Sequence, residues 1–160
     1  MKSEIQFRDA THEDLPDIVR LLSDDPLGRE READTSPLPN SYHSAFEAID
    51  CDSNNQLVVV ESMGGVIGML QLTFIPYLTF RGSWRAVIEG VRIDQEFRSR
   101  GIGQKLISHA VELAKRRGCH LIQLTSDKRR PEAIRFYERQ GFVSSHEGLK
   151  LNLGPGDESP

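Results

Sequence analysis

The sequence predicts an α/β (α+β) fold: a mixed, mostly antiparallel central sheet of about six to seven strands with helices on both faces. Three observations support this prediction. The length of 160 residues suits one domain. Apolar segments separated by turn residues across 57–93 favour antiparallel strands. A buried strand at 119–125 lies between two amphipathic helical patterns, and this order favours parallel pairing of the strand with its neighbour in the sheet. We expect one domain over 1–153 and a disordered tail at 154–160.

Composition narrows the classes of protein. The net charge of −4 argues against a dedicated nucleic-acid binder, although basic residues cluster between Arg81 and Arg139. No apolar run could cross a bilayer, and the N-terminus lacks a signal-peptide pattern, so we expect a cytoplasmic protein with no membrane partner. The two cysteines, Cys51 and Cys119, and the five histidines lack the spacing of metal ligands, so no metal is expected.

The first elements follow from local patterns. EIQFRDA alternates Ile5 and Phe7 on one face, which predicts a strand. Thr11 and Asp14 have the spacing of a capping box, so a helix should follow. Polar residues and three prolines over 23–39 predict a long mobile loop. A second short helix is predicted at 41–49.

Apolar segments and the positions of glycines predict the central strands. LVVVES at 57–62 predicts a strand, and Gly64-Gly65 predicts a hairpin into VIGMLQLTF at 66–74. Pro76 ends that strand or marks its edge. WRAVIEGVRI at 84–93 predicts the next strand, in which Gly90 suggests a bulge or a close approach by another backbone.

The second half alternates helix and strand. Apolar residues at helical spacing predict a helix over 103–117, which Gly118 ends. CHLIQLT predicts a buried strand. Pro131 is well placed to begin another helix, which Gly141 ends. Two last strands are predicted at 142–145 and 148–153.

The turn FRSRGIGQKL, 97–106, predicts an anion site. A helix begins directly after Gly101 and Gly103, and the first amides of a helix have no intrahelical partner. The alternative is a solvated loop in which the glycines only form the turn. A dinucleotide fingerprint fails because Leu106 and Gln123 stand where glycine and an acidic residue are needed, and the P-loop pattern is also absent.

Two motifs resemble those of the GNAT superfamily of N-acetyltransferases. Arg98-Ser99-Arg100-Gly101-Ile102-Gly103 is similar to that family's acyl-CoA pyrophosphate signature. AIRFYERQGF, Ala133 to Phe142, is similar to its second motif, and one helix and one strand separate the two. The resemblance covers roughly Val58 to Val143. It implies that two neighbouring parallel strands splay apart and admit the pantetheine arm of acetyl-CoA.

The resemblance also implies a set of cofactor-binding residues. Main-chain groups of Val91, Arg92 and Ile93 would bind pantetheine. The amides of the glycine turn would hold the pyrophosphate: Arg98, Ser99, Arg100, Gly101, Ile102, Gly103, Gln104 and Lys105. The second motif would contribute Arg130, Ala133 and Phe136. Many family members carry asparagine where this sequence has Arg130, so this side chain would instead meet a phosphate or solvent.

Acetyl transfer needs a base that generates a neutral amine, and Glu89 is the candidate. Strict alternation in VIEGVRI would place Glu89 on the face of Val87, Val91 and Ile93, where partial burial would raise its pKa. The alternatives are that the Gly90 bulge turns Glu89 outward or that an arginine pairs with it.

The departing thiolate needs an acid, and the resemblance places the Tyr137 hydroxyl near the thioester sulfur. The alternative is an aromatic residue that only packs its helix beside Phe136 and Phe142. The main-chain amide of Val91, or a neighbour, would polarise the thioester carbonyl.

Residues in the predicted loops indicate the chemistry of the acceptor amine. Phe80 and Trp84 would suit an amine with an apolar body, while Arg81 or Arg85 could hold an anionic group on it. The basic run Lys128 to Pro131 is a solvated helix entrance, a contact for the adenosine 3'-phosphate, or a nucleic-acid contact.

These motifs lead to one main hypothesis and its alternatives. The main hypothesis is an enzyme that moves the acetyl group of acetyl-CoA to a primary amine of a small molecule, by direct attack in a ternary complex. The alternatives are a non-catalytic acyl-CoA binding or sensing module and an enzyme that acetylates a protein or peptide amine. The expected partners are acetyl-CoA and an amine, without nucleic acid, and a homodimer is left open.

Overall fold

A single sheet organises residues 4–154, the part of the chain that the computed structural model describes. Its five strands are adjacent in the order of the sequence. The first four pair antiparallel, and the last two pair parallel. The strands are β1 (Ile5–Asp9), β2 (Asn55–Ser62), β3 (Gly65–Tyr77), β4 (Ser83–Ile93) and β5 (Leu121–Leu124).

Helices cover both faces of this sheet, as the sequence predicts. They are α1 (Leu15–Leu22), α2 (Pro26–Arg31), α3 (Asn40–Asp50), a short helical turn α4 (Thr79–Gly82), α5 (Ile102–Arg116) and α6 (Pro131–Arg139). One core lies between the sheet and α5, where Leu106 and Ala110 meet Leu72 and Ile88. A second core lies on the opposite face, where α1 and α3 pack on Val59 and Met69. The fold class is therefore confirmed.

The number of strands is smaller than expected. The segments 142–145 and 148–153, predicted as strands, form no strand within the described residues. Leu149, Leu151 and Leu153 alternate as a strand would, yet all three are exposed. Alternation shows only that a segment suits a half-buried strand, whereas a strand forms only against a paired neighbour. The predicted disordered tail, 154–160, lies outside the described residues except for Gly154.

The predicted loop at 23–39 contains a helix that the sequence analysis missed. Asp25 caps α2, because its carboxylate accepts a hydrogen bond of 2.6 Å from the Gly28 amide. Pro26 occupies the first helical position, where its missing N–H costs nothing. The Asp-Pro pair is the signal that could have predicted this helix, and it places Asp25 where the site needs it.

Two turn predictions agree with the structure. The β2–β3 hairpin forms, with Met63 and Gly64 at positive φ of 53° and 78°, so the turn lies one residue earlier than the predicted Gly64-Gly65 pair. Pairing of β3 with β2 ends at Thr73, so Pro76 lies where β3 is locally an edge. A proline is tolerated there because no partner needs its N–H.

We expect the substitution Asp14→Asn to lower the free energy of unfolding by about 2 kcal/mol at neutral pH. The buried Asp14 carboxylate accepts hydrogen bonds of 2.7 and 2.9 Å from Arg8 and one of 2.7 Å from the Thr11 amide. The hydrogen bonds from Arg8 hold the pKa of Asp14 below its ordinary value. The stabilisation is therefore present at neutral pH and is lost as the pH falls through that lowered pKa.

Urea unfolding at several pH values measures this effect. The difference between wild type and Asp14→Asn should narrow below about pH 4. The control is Asp17→Asn, because Asp17 is half-exposed and forms only a 3.3 Å pair with Arg20. That variant should change stability by less than about 0.5 kcal/mol. Equal losses in the two variants would contradict the role of Asp14.

Candidate active site

A bulge at Gly90 divides β4 into two parts. Glu89 pairs with Gln71 and Arg92 pairs with Met69, so Gly90 and Val91 together oppose a single residue of β3. Gly90 has a positive φ of 63°, which glycine adopts without strain. The bulge that the sequence predicts is therefore present.

The bulge also decides which side chains share a face. Ala86 and Ile88 pack in the core beneath α5, and Val91 and Ile93 pack against the same core. Side chains alternate along a strand, so the extra residue moves the odd-numbered positions onto this face after Gly90. Arg92, opposite Met69, consequently lies on the other face of the sheet.

Pairing between β4 and β5 ends just before the bulge. Their parallel pairing runs from Arg85 with Leu121 to Ile88 with Leu124 and then stops. The rest of β4, Glu89–Ile93, has no strand partner on that side within the described residues. Extended backbone with an open edge suits an amide-bearing chain such as pantetheine, which can pair with it as a strand would.

The start of α5 presents open amides beside this edge. The first intrahelical bond runs from the Lys105 amide to the Gly101 carbonyl, at 3.2 Å, so the amides before it have no helical partner. Gly101 caps the helix at a φ of 76° and supplies no capping side chain. Ser99 also has a positive φ, of 61°. These features fit the binding of a pyrophosphate.

Gly103 lies where the helix, β4 and α6 meet. A Cβ atom added at Gly103 would lie 3.4 Å from the Phe136 ring and 3.8 Å from Ile93. Phe136 is half-buried and packs against the core between the sheet and α5. The α6 residue Phe136 therefore lies against the start of α5, beside the end of β4.

Two consecutive carboxylates hold the arginines that the sequence assigns to the cofactor. Asp24 accepts a hydrogen bond of 3.2 Å from Arg98, whose Nε also donates to the Ile93 carbonyl at 2.9 Å. Asp25 pairs with Arg130 at 2.6 Å. Arg130 therefore meets a carboxylate in this structure, where we had expected a phosphate or solvent. Both contacts link the α1–α2 connection to the two motifs.

The remaining residues of the glycine turn and the second motif show two environments. Arg100 is exposed and lies 5.2 Å from the centre of the Phe97 ring. Gln104 and Lys105 are also exposed, while Ile102 is buried in the core. Ala133 is half-buried on α6. The exposed side chains can reach a phosphate at the helix start, and Ile102 can do so only through its amide.

Glu89 is exposed, so the expected partial burial is wrong and the alternative, a Glu89 turned outward at the bulge, agrees with the structure. The physical reason is the bulge, because Glu89 shares a face with Val87 but not with Val91 and Ile93. Gln71, its partner across the strands, is engaged with Asn55 at 3.2 Å. The carboxylate of Glu89 makes no ion pair with any described residue, so it is open to an incoming ammonium group.

Tyr137 is half-buried on α6. Its ring packs edge-on against Phe136 and Phe142, at centre distances of 5.2 and 5.9 Å. Burial raises the pKa of its hydroxyl, and the charges of Arg92 and Arg130 oppose this in part. A tyrosine with a raised pKa stays protonated at neutral pH and can donate a proton.

Phe80 and Trp84 are not brought to this site. Trp84 packs beneath α5, on the face opposite Glu89. Phe80 is 68% exposed at the β3–β4 turn, where it contacts Tyr77 and His120. Glu89 lies six residues beyond Ser83, about 20 Å along the strand. The aromatic cluster therefore sits at the opposite end of β4 from the cleft.

The basic run beside α6 is neutralised within the described residues. Lys128 pairs with Glu147 at 3.5 Å, and Arg129 pairs with Asp127 at 2.8 Å. Together with the Arg130 pair, each cation of the run faces a carboxylate. Within residues 4–154 no cluster of three or more His, Cys, Asp or Glu residues could hold a metal ion, and no helix has the length and apolarity to cross a membrane.

Comparison with known proteins identifies relatives that match most of the chain. A sequence profile of the Acetyltransferase (GNAT) family matches residues 15–142. Aminoalkylphosphonate N-acetyltransferase of Salmonella typhimurium is 27% identical over 141 residues, which cover 88% of this chain and 86% of that protein.

Solved structures share the fold of this chain. A Bacillus halodurans C-125 structure described as a transcriptional regulator is 55% identical, with a TM-score of 0.91, and the match covers 94% of this chain and all of that one. An aminoglycoside N-acetyltransferase in complex with CoA has a TM-score of 0.77 at 16% identity, over 95% of this chain and 96% of that one. The second likeness concerns the fold alone.

Proposed function

The chain belongs to the Acetyltransferase (GNAT) family of acyltransferase enzymes, and on this premise we propose that it acetylates the primary amine of a small molecule. Acetyl-CoA is the acetyl donor, and the amine attacks it directly in a ternary complex. The Salmonella relative, which matches over most of both chains, is named for a small amine substrate. A family and a relative of similar length thus support both the reaction and the size of the acceptor.

One observation carries the proposal: the open edge of Glu89–Ile93 lies next to the open amides at the start of α5. The edge suits the pantetheine arm, and the amides suit the pyrophosphate. The exposed Arg100 adds positive charge at the same place, whereas Arg98 is paired with Asp24. The thioester of a donor bound in this way would lie near the bulge, between β4 and α6.

The residues around the bulge would then supply the chemistry. Glu89, directly or through water, removes a proton from the ammonium form of the acceptor. The amide of Val91 donates a hydrogen bond to the thioester carbonyl as negative charge develops on its oxygen. The Tyr137 hydroxyl gives a proton to the departing sulfur, which its raised pKa favours because the hydroxyl is still protonated.

Thiol release from acetyl-CoA with a panel of primary amines tests the proposal. We expect release with at least one class of small amine and none without an acceptor. Protein that binds acetyl-CoA but releases no thiol with any small amine or peptide would be a binding module. Release with peptides alone would replace the small acceptor by a protein amine.

A nucleic-acid function is not favoured. The relative from Bacillus halodurans is described as a transcriptional regulator, so the alternative deserves a physical comparison. The net charge of this chain is −4, and the cations of the run Lys128 to Arg130 face carboxylates. A nucleic-acid surface needs cations that are free to neutralise phosphates.

We expect Glu89→Gln to lower kcat by about 100-fold, the scale of a lost general base, with acetyl-CoA affinity unchanged. Glutamine keeps the size of the side chain but cannot take the proton from the ammonium group. Steady-state thiol release and calorimetric titration with acetyl-CoA measure the two quantities. The control is Glu112→Gln, because Glu112 is exposed on α5 and pairs only with Lys115. Full turnover in Glu89→Gln would assign the deprotonation to another group.

A further inference from the structure

Arg92 carries a buried donor that nothing in the structure satisfies. Among the described residues, two buried side-chain nitrogens lack a hydrogen-bond partner, the Nε atoms of Arg85 and Arg92. Arg92 otherwise donates one bond of 2.9 Å, to the carbonyl of its own neighbour Val91. A buried charged donor without a partner is costly, so a group that supplies one is expected to bind there.

The surroundings of Arg92 hold more positive charge than negative charge. The charges of Arg130 and Arg31 repel it, and Asp25 is the one carboxylate in the described part of the chain that offsets this repulsion. Asp25 is already engaged by Arg130 at 2.6 Å and by the Gly28 amide at 2.6 Å. Burial and then Arg130 lower the pKa of Arg92, but arginine stays protonated in proteins, so only an added anion can balance the charge.

The position of Arg92 shows which substrate would bring that anion. Val91 and Ile93 face α5, whose first amides suit the phosphates of acetyl-CoA, whereas Arg92 points to the opposite face. Arg92 follows Glu89 by three positions, and because the bulge adds one residue, both side chains lie on the face opposite α5. An anion at Arg92 would therefore lie on the same face as Glu89 and away from the phosphate cradle.

The Nε atom of Arg85 is also buried without a partner, but an aromatic ring lies against the guanidinium of Arg85. Its guanidinium carbon lies 4.9 Å from the centre of the Tyr77 ring, so the aromatic face partly balances its charge. No such ring contact exists for Arg92 among the described residues. Arg85, named from the sequence as a possible partner of an anionic acceptor, lies beside Trp84 near the start of β4, seven positions from Arg92 and far from the bulge, so it serves as a matched control.

We propose that the acceptor amine carries an oxyanion group, a carboxylate, phosphonate or phosphate, and that the Arg92 guanidinium binds this group. The inference rests on the proposed function, because it names the substrate class of the same site. Two parallel N–H donors of a guanidinium match two oxygens of such a group. The acceptor is then a short amino acid or aminoalkyl phospho compound, with its amine at Glu89 and its anion at Arg92.

Acceptor pairs that differ only in the anion test the preference. We would compare γ-aminobutyrate with 4-aminobutanamide, and 3-aminopropylphosphonate with butylamine, by kcat/KM for thiol release. Wild type should prefer the anionic member of at least one pair by tenfold or more. Arg92→Gln should reduce that preference to near unity, and Arg85→Gln should retain it. Wild type that acetylates amines without this preference would overturn the inference and leave acetyl transfer intact.

A binding measurement separates the anion site from catalysis. Propylphosphonate has no amine and cannot be acetylated. Calorimetric titration in the presence of CoA should detect its binding to wild type and to Arg85→Gln, with at least tenfold weaker binding to Arg92→Gln. Binding that depends on Arg92, without thiol release from any amine, would support the anion site and refute the proposed reaction. Equal binding to all three proteins would overturn the anion site.

Thermal melting checks that the variants fold. If Arg92→Gln is unfolded, Arg92→Lys tests the contact between the guanidinium and the anion instead, because lysine keeps the charge but loses the two parallel donors. The anion preference and the propylphosphonate affinity of Arg92→Lys should each fall at least threefold. Wild-type values for both in that variant would overturn the proposed contact.

Discussion

Tyr137→Phe should lower kcat by about 100-fold, the scale of a lost general acid, and leave acetyl-CoA affinity nearly unchanged. The substitution removes only the hydroxyl, since phenylalanine preserves the ring that packs against Phe136 and Phe142. Without the hydroxyl, the sulfur leaves as a thiolate that no side chain of α6 protonates. Steady-state thiol release gives kcat, and calorimetric titration gives the affinity for acetyl-CoA.

The same residue makes a prediction about pH. Burial raises the pKa of Tyr137, so its hydroxyl stays protonated up to and beyond the ordinary tyrosine value of about 10. The kcat of wild type should therefore not decline through loss of this proton between about pH 7 and 9. The control is Tyr77→Phe, because the Tyr77 hydroxyl contacts His120 at the other end of the sheet. Full activity in Tyr137→Phe would exclude this hydroxyl as the acid.

Gly103→Val should weaken acetyl-CoA binding by about 1 to 3 kcal/mol, the scale of lost charge-assisted hydrogen bonds. A Cβ at this position already lies 3.4 Å from the Phe136 ring, an ordinary contact. The two further methyl groups of valine must displace either Phe136 or the phosphate that approaches the helix amides. Calorimetric titration with acetyl-CoA measures the loss.

Two controls separate this effect from a general loss of helix stability. Gly103→Ala adds only the Cβ that fits, so its affinity should stay close to that of wild type. Ser108→Val places the same β-branched side chain at an exposed position of α5 and costs only helix propensity. Unchanged affinity in Gly103→Val would refute the placement of the pyrophosphate at this helix start.

Features that depend on a few neighbouring residues were predictable from the sequence. Gly101, Gly118 and Gly141 have positive φ at helix boundaries, where the pattern of residues placed them. The bulge at Gly90 was predictable for the same reason. Motifs of this kind describe local backbone shape, and local shape is encoded within a few positions.

The sequence left two arrangements of β4 open, strict alternation through Gly90 or a bulge that turns Glu89 outward, and only the structure decided between them. A bulge shifts all later side chains by one position, so the strict alternation assumed for Glu89, Val91 and Ile93 fails after Gly90. Trp84 lies beneath α5, away from Glu89, because side chains alternate regularly over 84–89, before the bulge. The prediction of a strand at 148–153 was wrong for a related reason. Alternation shows that a segment suits a strand but cannot supply the neighbour with which the strand must pair.

By itself, the sequence determined the order of most helices and strands, the glycine turn at the start of α5, the tyrosine helix and the family resemblance, because each resides in a continuous stretch of chain. Only the tertiary structure decided that Asp24 and Asp25 meet Arg98 and Arg130, and that Arg92 is left with a buried donor on the same face as Glu89. Those contacts join residues distant in sequence. Charge and burial at such a place depend on packing between elements, which no local pattern encodes.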